Sequence, residues 1–176
     1  MRQYKGEVLQ IVDSSKAGGI ETHILQVSRG LKNTGWLVRV VFIENYGPHP
    51  LKDSLKELGI DYHVLDGRIS TFLRFIGQNR SAILHSHGYK AGIISRILGK
   101  ILRLKVVSTF HAGEQVSGKL ALYSLIDHLT APLSQPIAVS RLIAAKLPAK
   151  TQVMNNFVSV PNISNQTDRQ IIAFVG

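Results

Sequence analysis

Short β-rich runs alternate with segments of helical period from one end of this chain to the other, and few architectures accept that pattern. Parallel neighbours in a sheet need a crossover of about a dozen residues or more, usually a helix. The reading is therefore α/β, built on a parallel sheet. EVLQIVD (7–13) reads as the first strand. Ile20, Ile24, Val27 and Leu31 then recur at i, i+4, i+7 and i+11, which gives a helix one apolar face and lets Gly35 end it. WLVRVVFI (36–43), IDYHVL (60–65), AILHSH (82–87), KVVSTFH (105–111) and PIAVS (136–140) supply five more strands. Between them PLKDSLKELG, ISTFLRFIGQN, KAGIISRILGKILRL (90–104), LALYSLIDHLTAPL and SRLIAAKL read as helices.

The segment VPNISNQTDRQ (160–170) is polar, aperiodic and contains Pro161, so it reads as a linker after a domain over 1–159. IIAFVG (171–176) has the look of a strand opening a further α/β domain. The length of 176 residues suits one full domain and is enough to bury a real core. No apolar run reaches the roughly 18 residues of a membrane span, and MRQYKGEVLQIVDSS turns polar too early for a signal peptide. The absence of cysteine removes disulfides and thiolate metal sites and fits a cytoplasmic setting.

Charge narrows the partners. Lys and Arg number 21 against 11 Asp and Glu, a formal +10, which favours a negative partner: nucleic acid, an anionic lipid surface or a phosphorylated substrate. Aromatic residues are few and not interleaved with the basic ones, which disfavours nucleic acid bound by stacking. In KAGIISRILGKILRL, Ile94, Ile97, Leu98 and Ile101 are expected on one face and Arg96, Lys100 and Arg103 on another. That basic side is a candidate surface for an anionic membrane, or simply a solvated helix face.

The turn after the first strand, AGGIETH (17–23), pairs Gly18 and Gly19 at a helix start. Glycines allow close backbone approach and a helix start offers free N–H groups, so the turn is either an anion loop or merely a permissive bend. Neither the P-loop pattern nor G-x-G-x-x-G is present. His23, His85, His87 and His111 all fall near the carboxyl ends of the strands, where open α/β sheets place ligands. His85 and His87, two apart on a strand, share a face as a metal pair would, but no carboxylate stands at ligand-like spacing beside them. A polar cleft role suits His87 better, and His111 either lines the edge or caps the next helix. Ser140 and Arg141, at the last strand's end, could bind an anion or serve as a plain helix N-cap.

Taken in order, GGIETHILQVSRGLKNTGWLVRVVFI, ILHSHGYKAGIISRI, KVVSTFHAG, PIAVSRLIAAKL, VMNNFV and IIAFVG resemble the N-terminal domain of the retaining GT-B glycosyltransferases of glycosyltransferase family 4. The resemblance runs from about residue 6 to the end. It implies a Rossmann-like domain, with helices on both sheet faces, that holds the acceptor opposite a second domain holding most of a nucleotide-sugar donor. It further implies that Gly18 and Gly19 approach the donor diphosphate, that His111 is the catalytic histidine reaching the donor sugar, and that His87, Ser140 and Arg141 line the cleft. The reaction implied is transfer of a sugar from a nucleoside diphosphate sugar, with retention, to a glycan or lipid-linked acceptor. The co-substrate stands where a cofactor would, and neither metal nor nucleic acid is expected. Cell-envelope or lipopolysaccharide synthesis at the inner membrane face would fit, as would inactivity of this chain without the second domain. The pattern departs from the family at Asn156-Phe157-Val158-Ser159, where Asn-Gly-Val-Asp is usual. Two rival readings are a non-catalytic module binding acidic glycan or anionic lipid, and a metal-dependent hydrolase using the histidines.

Overall fold

A computed structural model describes residues 4–111, 118–148 and 150–155. Its strands are β1 (Glu7–Val12), β2 (Leu37–Phe42), β3 (Asp61–Val64), β4 (Ile83–His87), β5 (Val106–Phe110), β6 (Gln135–Ala138) and β7 (Gln152–Val153). The helices are α1 (Gly19–Asn33), α2 (Pro50–Glu57), α3 (Ile69–Gln78), α4 (Tyr89–Leu102), α5 (Lys119–Thr130) and α6 (Arg141–Ala144). All pairings are parallel and the strand order is β3-β2-β1-β4-β5-β6-β7. The chain thus winds outward from β1 through β2 to β3, crosses back, and winds the other way from β4. The reversal between β1 and β4 is the topological switch point, where neighbouring crossovers diverge and leave a crevice at the carboxyl ends.

Alternation along the strands assigns the two faces. Val12, Val38, Val40 and Phe42 pack with Ile24 of α1 and with Leu51 and Leu55 of α2. Leu9, Ile11, Val41 and Leu84 point the opposite way and meet Phe72 and Ile76 of α3 and Ala91 of α4. Helices therefore cover both faces, as expected of a Rossmann-like sheet. Gly35, at φ 88, follows the C-cap Thr34 and ends α1 where a side chain would be strained.

The face of α4 differs from its periodicity. Ile97 and Ile101 are 40% and 66% exposed, while Ala91, Gly92, Ser95, Arg96 and Gly99 are buried. Small residues set the contact because the helix lies too close to the sheet for larger ones: a Cβ on Gly99 would stand 2.3 Å from Val106 Cγ2. Arg96 is consequently no part of a basic surface. It is 1% exposed, pairs with Asp127 of α5, donates from Nε to Thr130 Oγ1 at 3.1 Å, and lies over the Phe110 ring at 5.2 Å. Lys100 and Arg103 do remain exposed. The expected linker (160–170) and the strand-like run 171–176 lie outside the described residues.

Candidate active site at the switch point

β1 and β4 end side by side, with Val12 opposite His87, and β5 ends beyond Thr109, which pairs with His87 on its other side. This register gathers the histidines. Because side chains alternate, His85 and His87 share the α1 face with Gln10 of β1 and Thr109 of β5. His23 comes down onto them from the first turns of α1, its ring centroid 5.6 Å from that of His87 and 4.8 Å from that of His111.

Hydrogen bonds run through the group. His87 Nε2 lies 2.6 Å from Gln10 Oε1, and its Nδ1 lies 3.2 Å from His111 Nε2. His85 Nε2 is held separately, 2.7 Å from Thr109 Oγ1, with its ring 4.3 Å from that of His87. Burial dominates the electrostatics, since an imidazolium loses its hydration here and its neighbours are other imidazoles. Burial pushes His85 and His111 each down to about 3, and His87 well below the usual histidine value. At neutral pH these three rings are uncharged. Neutral rings can accept as well as donate protons in hydrogen bonds, and they can ligate metals.

His23, His87 and His111 each offer a ring nitrogen within 4.8 Å of the others. Tetrahedral zinc with bonds of about 2.0–2.1 Å needs nitrogens roughly 3.3 Å apart, a spacing that His87 and His111 have and the full set approaches. The same-face pair His85 and His87 is not this group: His85 is turned to Thr109 and His23 stands in its place.

Gly18 is the N-cap of α1 and Gly19 its first residue. A Cβ on Gly19 would meet nothing within 4 Å, and one on Gly18 would meet only Glu21 Oε2, at 3.2 Å. Gly18 has φ −169, extended backbone open to any residue, so neither glycine is required by the chain's own geometry. A cleft of about 340 Å³ opens beside them, lined by Ala17, Gly18, Glu21, Thr22, Pro50 and Ser54. The cleft lies beside the N-terminus of α1, the positive end of the helix dipole, which the buried Glu21 shares.

Ser140 caps α6, its Oγ accepting from Ile143 N at 3.3 Å at the start of that four-residue helix. Arg141 is exposed at the same sheet edge. Two further groups escape the reading of sequence. Gln10 is polar yet fully buried on an interior strand, and Asp127 is the one acid of α5 and is buried. A larger cavity, about 550 Å³, is lined by Trp36, Gly59 and Asp61 at the amino edge, away from the histidines and from where parallel sheets bind ligands.

The chain is a Rossmann-like α/β domain whose buried histidines gather at the β1–β4 switch point. The family model for Glycosyltransferase Family 4 matches residues 17–162. The chain belongs to glycosyltransferase family 4, as an N-terminal domain of the GT-B architecture. Among solved structures it is similar to HepE (Alr3699) of Anabaena in complex with UDP, with a TM-score of 0.68 and 17% identity over 85% of this chain and 44% of that one. A glycosyltransferase from Rickettsia africae ESF-5 gives 0.67 and 18% over 88% and 44%. The lipopolysaccharide outer core galactosyltransferase WaaB gives 0.62 and 16% over 89% and 47%. The chain spans about half the length of these structures. No curated protein matches its sequence. No helix among the described residues is long and apolar enough to cross a membrane.

Proposed function

We propose that this chain is the acceptor-side half of an enzyme that transfers a sugar from a nucleoside diphosphate sugar, with retention, to a glycan or lipid-linked acceptor. The observation that carries the reading is the convergence at the β1–β4 switch point: His87 and His111 end their strands there, and α1 begins there at Gly18 and Gly19. In this reading the first-turn amides of α1 receive the donor diphosphate, the two glycines admit its close approach, and the leaving charge is stabilised by oriented N–H dipoles. His111 is the catalytic residue, a neutral hydrogen-bonding group on the donor sugar, with His87 behind it and Arg141 at the rim. The reaction runs without a metal. HepE was solved with UDP and with UDP-glucose, which favours a nucleotide-sugar donor by analogy. WaaB makes envelope polysaccharide a natural setting, at the cytoplasmic face of the inner membrane.

The test is turnover of a UDP- or GDP-sugar by the full-length enzyme. His111→Ala should lower the rate by on the order of 100-fold or more, the cost of a lost transition-state contact. Undiminished turnover ends the assignment.

A second reading, a binding module for anionic lipid or acidic glycan, is favoured by one surface. Leu122, Leu125 and Leu129 of α5 are 60%, 56% and 70% exposed, and α5 packs against α4, which carries the exposed Lys100 and is capped at its end by the exposed Arg103. Apolar side chains beside cations suit an anionic bilayer. Binding to anionic vesicles with no effect of UDP or GDP, in the full-length protein, would select it.

A further inference from the structure

We infer that Gln10 and His87 are positioning residues that hold His111 in a single tautomer, with its proton on Nε2 and its lone pair on Nδ1. The inference rests on His111 being a residue of the proposed site and assigns what orients it. The order of donors fixes the chain. Gln10 Oε1 can only accept, so the 2.6 Å contact places a proton on His87 Nε2. A neutral imidazole carries one N–H, which leaves His87 Nδ1 as an acceptor. Its partner at 3.2 Å, His111 Nε2, is then the donor. His111 is left with Nδ1 as the nitrogen that can accept.

Neutrality supports the order. Burial keeps a second proton off both rings at neutral pH, so neither can donate from both nitrogens and scramble the sequence. His85 stays outside it, engaged with Thr109.

Gln10 is expensive where it stands. It is 0% exposed on β1, whose other residues from Val8 to Val12 are buried and apolar, and its Nε2 has no hydrogen-bond partner among the described residues. An orphaned buried donor is a cost that an apolar residue of similar size would avoid. A position that breaks the local rule while orienting a site histidine is one where function outweighs stability.

The consequence is chemical. A lone pair on His111 Nδ1 accepts a hydrogen bond from a hydroxyl and has nothing to offer a phosphate oxygen, itself an acceptor. The relay therefore turns His111 toward a hydroxyl of the ligand and leaves the diphosphate to the α1 amides.

Long-range ¹H–¹⁵N NMR of the histidine rings tests this on the 176-residue chain itself, without turnover. At neutral pH, His87 and His111 should each show one neutral tautomer, protonated at Nε2. Gln10→Leu should replace the single pattern at His111 with a mixture of both tautomers while the amide spectrum stays native. A proton on His111 Nδ1 in the parent chain, or an unchanged His111 pattern in Gln10→Leu, overturns the inference. Should Gln10→Leu fail to fold, His87→Phe removes the acceptor that faces His111 directly and must give the same mixture at His111. Stoichiometric zinc uptake that shifts His23, His87 and His111 together would also overturn it, by making the rings ligands instead of a relay. Full turnover in His111→Ala would remove the catalytic assignment and leave the tautomer result standing.

Discussion

The sheet buries polar groups on both of its faces, by opposite means. On the α1 face, Gln10, His87 and His111 form a chain in which burial has stripped the charge from the rings. On the α4 face, Arg96 and Asp127 are buried as a pair beneath α5, 1% and 4% exposed, and the guanidinium lies over Phe110. Phe110 immediately precedes His111, so the two inclusions flank the end of one strand. An imidazole can leave water by losing a proton, at modest cost near neutral pH; a guanidinium cannot, and must take its counter-charge with it. The first solution leaves rings whose lone pairs remain available for chemistry. The second consumes its hydrogen-bonding capacity internally and serves to hold α4 to α5.

The sharpest break between them is Asp127→Ala. It strands a buried guanidinium and should cost about 3–5 kcal/mol, because the charge keeps its desolvation penalty and loses its partner. Denaturant unfolding of the chain reads this directly. A loss below about 1 kcal/mol would mean that water already reaches the pair.

Acid separates the two inclusions by sign. His85, lowered from 6.5 to about 3 chiefly by burial, binds its proton in the unfolded chain before it can do so in the folded one. Its contribution to stability is complete above about pH 6.5 and is lost as pH falls toward 3, at about 1.4 kcal/mol per pH unit. His87 and His111 are lowered too and add to the same slope. Asp127 is raised, burial outweighing its attraction to Arg96, so protonation on acidification relieves its desolvation and works the other way. Stability measured from pH 7 to 5 should therefore fall, and His85→Gln should flatten the fall. A flat profile in the parent chain would show that the rings are hydrated and charged.

How far the sequence discloses this differs between the two faces. The strands of β1 to β6 are legible because β-rich runs and helical periods are local patterns, and their ends fall within a residue or two of expectation. The gathering of His87 and His111 at one edge is legible for the same reason: a strand's carboxyl end can be read from the run that precedes it. The switch point is not, since strand order is set by non-local packing. Gln10 is visible as a polar break in EVLQIV, but only the register of β1 on β4 shows that the break faces His87. His23 carries a plain helical position in the sequence and acquires meaning when α1 lands on the histidines. Arg96 misleads because periodicity weighs large apolar side chains, and α4 docks through its small ones. A lone Asp within LALYSLIDHLT is the signal that a buried cation awaits it.

The finest test of the comparison asks whether the ion pair has any task beyond filling its space. Arg96→Met with Asp127→Leu removes both charges and keeps comparable volume, and buried pairs replaced in this way are often neutral in stability. Some interactions are lost with the guanidinium: its contact over Phe110, worth about 0.5–2 kcal/mol for such geometries, and its donation to Thr130. Thr130 Oγ1 still donates to Ile126 O at 2.8 Å, so the hydroxyl is not orphaned. The Asp127 carbonyl, 3.2 Å from that same hydroxyl, competes with Ile126 O for its one proton. The double variant should therefore unfold within about 1 kcal/mol of the parent, while Asp127→Leu alone remains several kcal/mol worse. Arg96 and Asp127 line one small cavity, about 60 Å³, together with His111 and Phe110, so turnover of the double variant in the full-length enzyme is the second readout, and a rate equal to the parent's is expected of a pair that only fills space. A double variant as unstable as the single would show that the charges organise the end of β5 itself, and the ion pair would then belong with the histidines as part of the site's support.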